Sequence, residues 1–204
     1  GRRPALRLGL LIELGRRLAP LADNGHIAAW MSEDDEQALV VRAGIDRQLP
    51  DRSAGDGAVI VFNNGSGGKQ EVFLHADVAY DRTLTADGEA SVELTIELTN
   101  DAPTEGLPSY LIGSGAVVPP GTNRLLVSVY TASPASGVEL DGQPIDVAAG
   151  SAERGWPVID TTVEIASGET RTLRLRFTGP AAVGDPAVVL PNLRFPADLT
   201  ITSR

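Results

Sequence analysis

The chain has 204 residues, a formal net charge of −10 and no cysteine. Disulfides and thiolate metal sites are therefore excluded, and the negative balance opposes both nucleic-acid phosphates and acidic membrane surfaces. Hydrophobic residues make up 42% but aromatics only 4%, so the core must rest on Val, Leu, Ile and Ala.

Residues 4 to 22 read as an amphipathic helix. Leu6, Leu10, Leu14, Leu18 and Leu21 fall on one stripe at helical spacing, and Pro4 suits a first turn. The arginines mostly point away from that stripe, as on a solvated face. His26 to Met31 reads as a short buried strand. A second helix is expected over 33–43, with Ser32 as N-cap, Asp35 at the capping-box spacing and Gly44 as the stop. Its acidic start, Glu33 to Glu36, is accounted for by the helix dipole. No stretch approaches the ~20 apolar residues of a membrane span.

After a polar loop at 46–57 the period changes to two. Ala58 to Phe62 is a short strand. A long strand is expected from Lys69 to Tyr80, then an Asp87-Gly88 hairpin turn. In SVELTIELT, Val92, Leu94, Ile96 and Leu98 face one side and Glu93, Thr95 and Glu97 the other. Further strands are expected at 124–130, 137–140, 143–147, 158–165 and 170–177, and a last one at 187–190 or 198–202. No helix is expected after residue 45. The pattern predicts an α+β, mainly β chain: an N-terminal helical α/β segment (1–62), then an antiparallel immunoglobulin-like β-sandwich (63–204).

The stretch NNGSGGK, residues 63 to 69, gathers three glycines and the chain's lone lysine, Lys69. It fails as a nucleotide phosphate loop on three counts. Asn63 stands where the first glycine belongs, Gln70 replaces the magnesium-binding hydroxyl, and a strand follows where a helix N-terminus is required. It reads instead as a turn, with a loose anion-binding nest as the alternative. His75 and Asp77 share a strand face, but there is no nucleophile elbow, and the chain's two histidines are too few for a typical zinc set. The reading therefore assigns no catalytic residue, metal or cofactor. Trp156 is either an edge plug of the core or an exposed sugar-stacking ring. The candidate binding residues are Lys69, Arg124, Trp156 and Asn64.

The order of several short motifs resembles a bacterial domain of unknown function found in large membrane-anchored actinobacterial envelope proteins. The motifs are the loop with Asn64 and Lys69 followed by Glu71 and Phe73, the step Asn100, Ala102, Pro103, and the turn Gly121, Asn123, Arg124. Glu71 and Phe73 depart from the Asp and Tyr common there. The resemblance implies an extracytoplasmic, envelope location, an upstream part of the same polypeptide carrying a membrane anchor, and no activity to carry over. The resulting expectation is a non-catalytic module mediating interaction or spacing, with an envelope protein or polysaccharide as partner, no nucleic acid, and no membrane insertion by this chain. Two alternatives stand: the substrate-side half of an envelope glycan or phosphate transferase or hydrolase, and a polysaccharide-binding domain using Trp156, Tyr110 or Tyr130.

Overall fold

The computed structural model describes residues 27–46, 48–49, 55–191 and 195–204. The helix expected over 4–22 lies outside them. The chain divides into two compact units, residues 1–49 and 50–204.

In the first unit, helix α1 spans Asp34–Arg42, with acidic residues in its first turn and Arg42 in its last, matching the dipole at both ends. The cap differs from expectation. Glu33, not Ser32, is the N-cap and makes no side-chain capping bond, while Asp35 Oδ1 accepts from the neighbouring Glu36 N–H instead of closing a capping box. Gly44 ends the helix in a left-handed conformation, φ 66°. Residues 27–31 form no strand, and Trp30 is 76% exposed. Their apolar composition mimics a buried strand, but among the described residues no sheet partner reaches them.

The second unit is mainly β. Its strands are β1 (Gly57–Asn64), β2 (Leu74–Leu84), β3 (Glu89–Asn100), β4 (Asn123–Thr131), β5 (Ala135–Leu140), β6 (Gln143–Pro144), β7 (Ala148–Glu153), β8 (Trp156–Ile165), β9 (Thr170–Pro180), β10 (Ala187–Val189) and β11 (Ala197–Ser203). They form a five-stranded sheet, β10-β1-β4-β8-β7, and a six-stranded sheet, β11-β2-β3-β9-β5-β6. Both sheets are mixed rather than purely antiparallel, because β10 joins β1 and β11 joins β2 in parallel. Both sites proposed for a last strand are therefore occupied, one in each sheet. Strand β1 sits between β10 and β4, so it belongs to the β unit rather than to the upstream segment that the sequence division at 62 assigned it to.

Alternation sets the burial. Along β3, Ala90, Val92, Leu94, Ile96 and Leu98 are buried, and across the pairing Leu94 meets Leu175 and Ile96 meets Leu173. Tyr80 and Phe177 stack edge to face, with centroids 6.2 Å apart. The turns follow backbone chemistry. Asp141 and Gly142 both have positive φ, 51° and 74°, as a two-residue type I′ hairpin requires, and Arg154-Gly155 repeats the device between β7 and β8. Two single-turn helices interrupt the expectation of none after residue 45: a 3₁₀ turn at Gln70–Phe73 and α2 at Ser109–Ile112.

Asn100 ties the loops at one end of the unit. Its Nδ2 donates to Gly121 O and Ile165 O, each at 2.8 Å, and its Oδ1 accepts from Ala102 N at 3.1 Å. The side chain is fully buried, so its hydrogen bonds replace the water it lost. Motif residues 100, 102 and 121 are thus joined for a structural reason.

Candidate functional site

The NNGSGGK loop leaves β1 and re-enters β2 through the 3₁₀ turn. The expected strand from Lys69 therefore begins only at Leu74. The reason lies in the side chains. Within the 3₁₀ turn Gln70 and Glu71 are both buried, and the turn leaves Val72 51% exposed. The turn closes through Val72 N donating to Lys69 O at 3.1 Å.

Polar bonds hold the loop shape. Asn64 Oδ1 accepts from Ser66 N at 2.7 Å, while its Nδ2 donates to Gly68 O at 2.9 Å and to the Glu71 carboxylate. The Ser66 hydroxyl accepts from Arg124 N at 2.8 Å, and Gly65 N donates to Arg124 O at 2.8 Å. The glycines differ in role. Gly67 has φ 78°, a left-handed position that glycine adopts at no steric cost. A Cβ at Gly68 would come within 2.5 Å of the Gln70 side-chain amide, which would have to shift, and Gly113, at φ 88°, meets the same amide.

Beside the loop lies a pocket of about 360 Å³, lined by Phe62, Asn63, Asn64, Gly67, Gly68, Lys69, Glu71, Leu125 and Phe195. Its apolar wall includes Phe62 and Phe195, packed edge to face at 5.3 Å. Its polar wall carries the buried Glu71 carboxylate, the Asn64 amide and the exposed Lys69. Among the described residues the lining contains no histidine, cysteine or serine.

Of the four sequence-proposed binding residues, Asn64 and Lys69 line this pocket. Arg124 contributes its backbone to the loop, but its guanidinium turns to Glu164, with Nε 3.6 Å from Oε1. Trp156 is 1% exposed. Its ring is enclosed in the core and offers no face to a sugar, which corrects its place among the binding residues. Tyr130 is also engaged, its hydroxyl donating to Glu153 Oε2 at 2.8 Å. Desolvation and that carboxylate push its pKa up to about 12. Tyr110 is 64% exposed, and its carbonyl accepts from Lys69 N at 2.9 Å, bracing the loop. Glu71, Phe62 and Phe195 were not proposed from sequence. Glu71 entered the sequence reading only as a residue of the motif resemblance; Phe195 comes from a segment 124 residues beyond Glu71 (195 − 71) and carried no local signal.

No protein-family model and no curated relative matches the chain. Among solved structures, it is similar to a protein of Legionella pneumophila assigned to nutrient binding, at 7% identity and a TM-score of 0.43, over 67% of this chain and 49% of that one. It is also similar to an M1 zinc metallopeptidase of Deinococcus radiodurans, at 19% identity and TM-score 0.28, over 55% of this chain and 22% of that one. A yeast LTA4 hydrolase aligns at 14% identity and TM-score 0.28, over 52% and 14%. The chain thus spans about half of the Legionella protein and smaller parts of the two enzymes. These scores fall below the level of a shared fold.

Proposed function

We propose that this chain is a non-catalytic recognition module of a cell-envelope protein, immunoglobulin-like in its sandwich, working outside the cytoplasmic membrane and tethered by an upstream part of the same polypeptide. The pocket beside residues 63–71 takes a hydroxyl-rich unit of an envelope polysaccharide. The observation that carries this reading is the composition of the pocket wall. The exposed amides of Asn63 and Asn64 and the Lys69 ammonium can meet its hydroxyls, above an apolar floor formed by the buried Phe62 and Phe195.

The reading as half of a transferase or hydrolase is less well supported. Nucleophilic or general-base chemistry needs a base within hydrogen-bond reach of the reacting proton, and among the described lining residues the one carboxylate, Glu71, is already bonded by Asn64. A phosphate-gripping pair would need Lys69 and Arg124 to converge, and Arg124 pairs with Glu164 instead. Location rests on the motif resemblance, and among the described residues no helix is long and apolar enough to cross a membrane.

The test is calorimetric titration of the purified chain with fragments of envelope polysaccharides, in parallel with Lys69→Ala and Glu71→Gln. Saturable binding lost in both variants supports the reading. Absence of binding across the fragments, or turnover of any of them, overturns it.

A further inference from the structure

The second sheet carries a charged group outside the pocket. Strand β11 lies parallel to β2, with Asp198 level with Asp77, and β3 places Glu97 level with Asp77 on the other side. Three carboxylates therefore stand in one lateral row across adjacent strands. Like charges directly opposite one another destabilise a sheet. Among the described residues no arginine or lysine forms an ion pair with any of the three. Two of them share one basic neighbour among the described residues, His75, whose Nε2 is 3.6 Å from Asp77 Oδ1 and 3.5 Å from Asp198 Oδ2.

The three donor atoms of His75, Asp77 and Asp198 all lie within 4.8 Å of one another. Ligands bound to tetrahedral zinc at about 2.0–2.2 Å sit about 3.3–3.6 Å apart, which is the separation of the imidazole nitrogen from each carboxylate oxygen here. Asp77 and His75 are two residues apart on one strand and so share a face, while Asp198 arrives from the neighbouring strand. The set is one imidazole and two carboxylates, a mixture suited to a borderline transition ion rather than to calcium or magnesium, which favour oxygen alone. Glu97 adds to the negative potential that concentrates cations at the spot.

We propose that His75, Asp77 and Asp198 form a surface site for one divalent transition-metal ion of the zinc class, binding of which clips β11 onto β2. The ion supplies the positive charge that the carboxylate row lacks, and it joins a strand near the C-terminus to the middle of the chain. Bound by three protein atoms, it keeps an open coordination position for water or for a donor from a partner.

Titration of the full chain with zinc chloride at neutral pH tests this, alongside His75→Ala and Asp198→Asn. All three positions are at least partly exposed, so the variants are expected to fold, and far-UV circular dichroism checks that they do. The expected result is one saturable zinc per chain, weakened at least about tenfold by either substitution. The His75 ring-nitrogen resonance should shift on addition, and zinc should raise the melting temperature of the parent chain only. Three results overturn the proposal: no saturable binding, binding of equal strength in His75→Ala, or an equal zinc-induced rise in melting temperature in that variant. The first would leave the group as a histidine–carboxylate ion pair, and the other two would reduce it to a diffuse acidic patch.

Discussion

Strands β2 and β11 meet at two charged junctions, and the two are built in opposite ways. At one, Arg82 of β2 is 5% exposed. It donates to Asp56 Oδ1 at 3.1 Å, to Ser203 Oγ of β11 at 3.0 Å and to Gly184 O. Asp56 in turn accepts from the Tyr80 hydroxyl at 3.0 Å and from Ala182 N. At the other, His75 and its two aspartates stand at the surface, with Asp198 79% exposed. Burial explains the difference. A charge removed from water must find an opposite charge and enough hydrogen bonds inside the protein. A charge left in water need not, so the exposed junction is free to take a ligand. A third group on the same sheet lies between these extremes. Arg174 and Arg176 pair with Glu93 and Glu139 across β9, β3 and β5, an exposed set that balances itself.

Substitutions graded by burial sharpen this comparison. The largest effect is expected at Asp56→Ala, which strands the Arg82 guanidinium in the core. It should cost about 3–5 kcal/mol in urea unfolding, and a loss below about 1 kcal/mol would mean that water reaches the junction. Asn100→Ala should follow at about 2 kcal/mol, because the carbonyls of Gly121 and Ile165 lose a buried donor.

Tyr80→Phe should cost about 1 kcal/mol at neutral pH, and its signature is in alkali. Desolvation, reinforced by Asp56, raises the Tyr80 pKa well above its ordinary value in the folded protein. The folded state therefore holds this proton more tightly than the unfolded chain. The associated stability is complete below about pH 10, where an unfolded tyrosine titrates, and it declines as pH rises beyond that. The parent should lose stability above pH 10 more steeply than Tyr80→Phe, and equal slopes in denaturation curves would contradict the assignment.

Smallest of the stability effects is Arg176→Ala, expected to leave the urea midpoint nearly unchanged because its guanidinium is exposed and the pairs it makes are screened. A larger loss would show that the arginine–glutamate group acts as a coupled network.

Much of the β unit was legible in the sequence, because alternation and turn chemistry are local. SVELTIELT gave β3, and Asp87-Gly88 gave the hairpin that precedes it. β7 was not legible, since AAGSAE neither alternates nor carries β-branched residues. The parallel partners of β1 and β2 were not legible either, because pairing over more than a hundred residues leaves no local trace. In the pocket, Asn64 and Lys69 stood out by residue type. Glu71 did not, since a buried carboxylate becomes tolerable only through a partner that folding supplies. Trp156 was ambiguous for a related reason: its neighbours Gly155 and Pro157 suit a loop and a strand start equally well. The metal-ligand trio stayed hidden until β11 brought Asp198 beside Asp77.

The most direct test of the recognition reading is amide NMR of the ¹⁵N-labelled chain during addition of the tightest-binding polysaccharide fragment. Saturable shifts confined to residues 62–71, 125 and 195, and absent in Lys69→Ala, are the expected result. Shifts centred on another surface, or none at concentrations that saturate a control lectin, would contradict it.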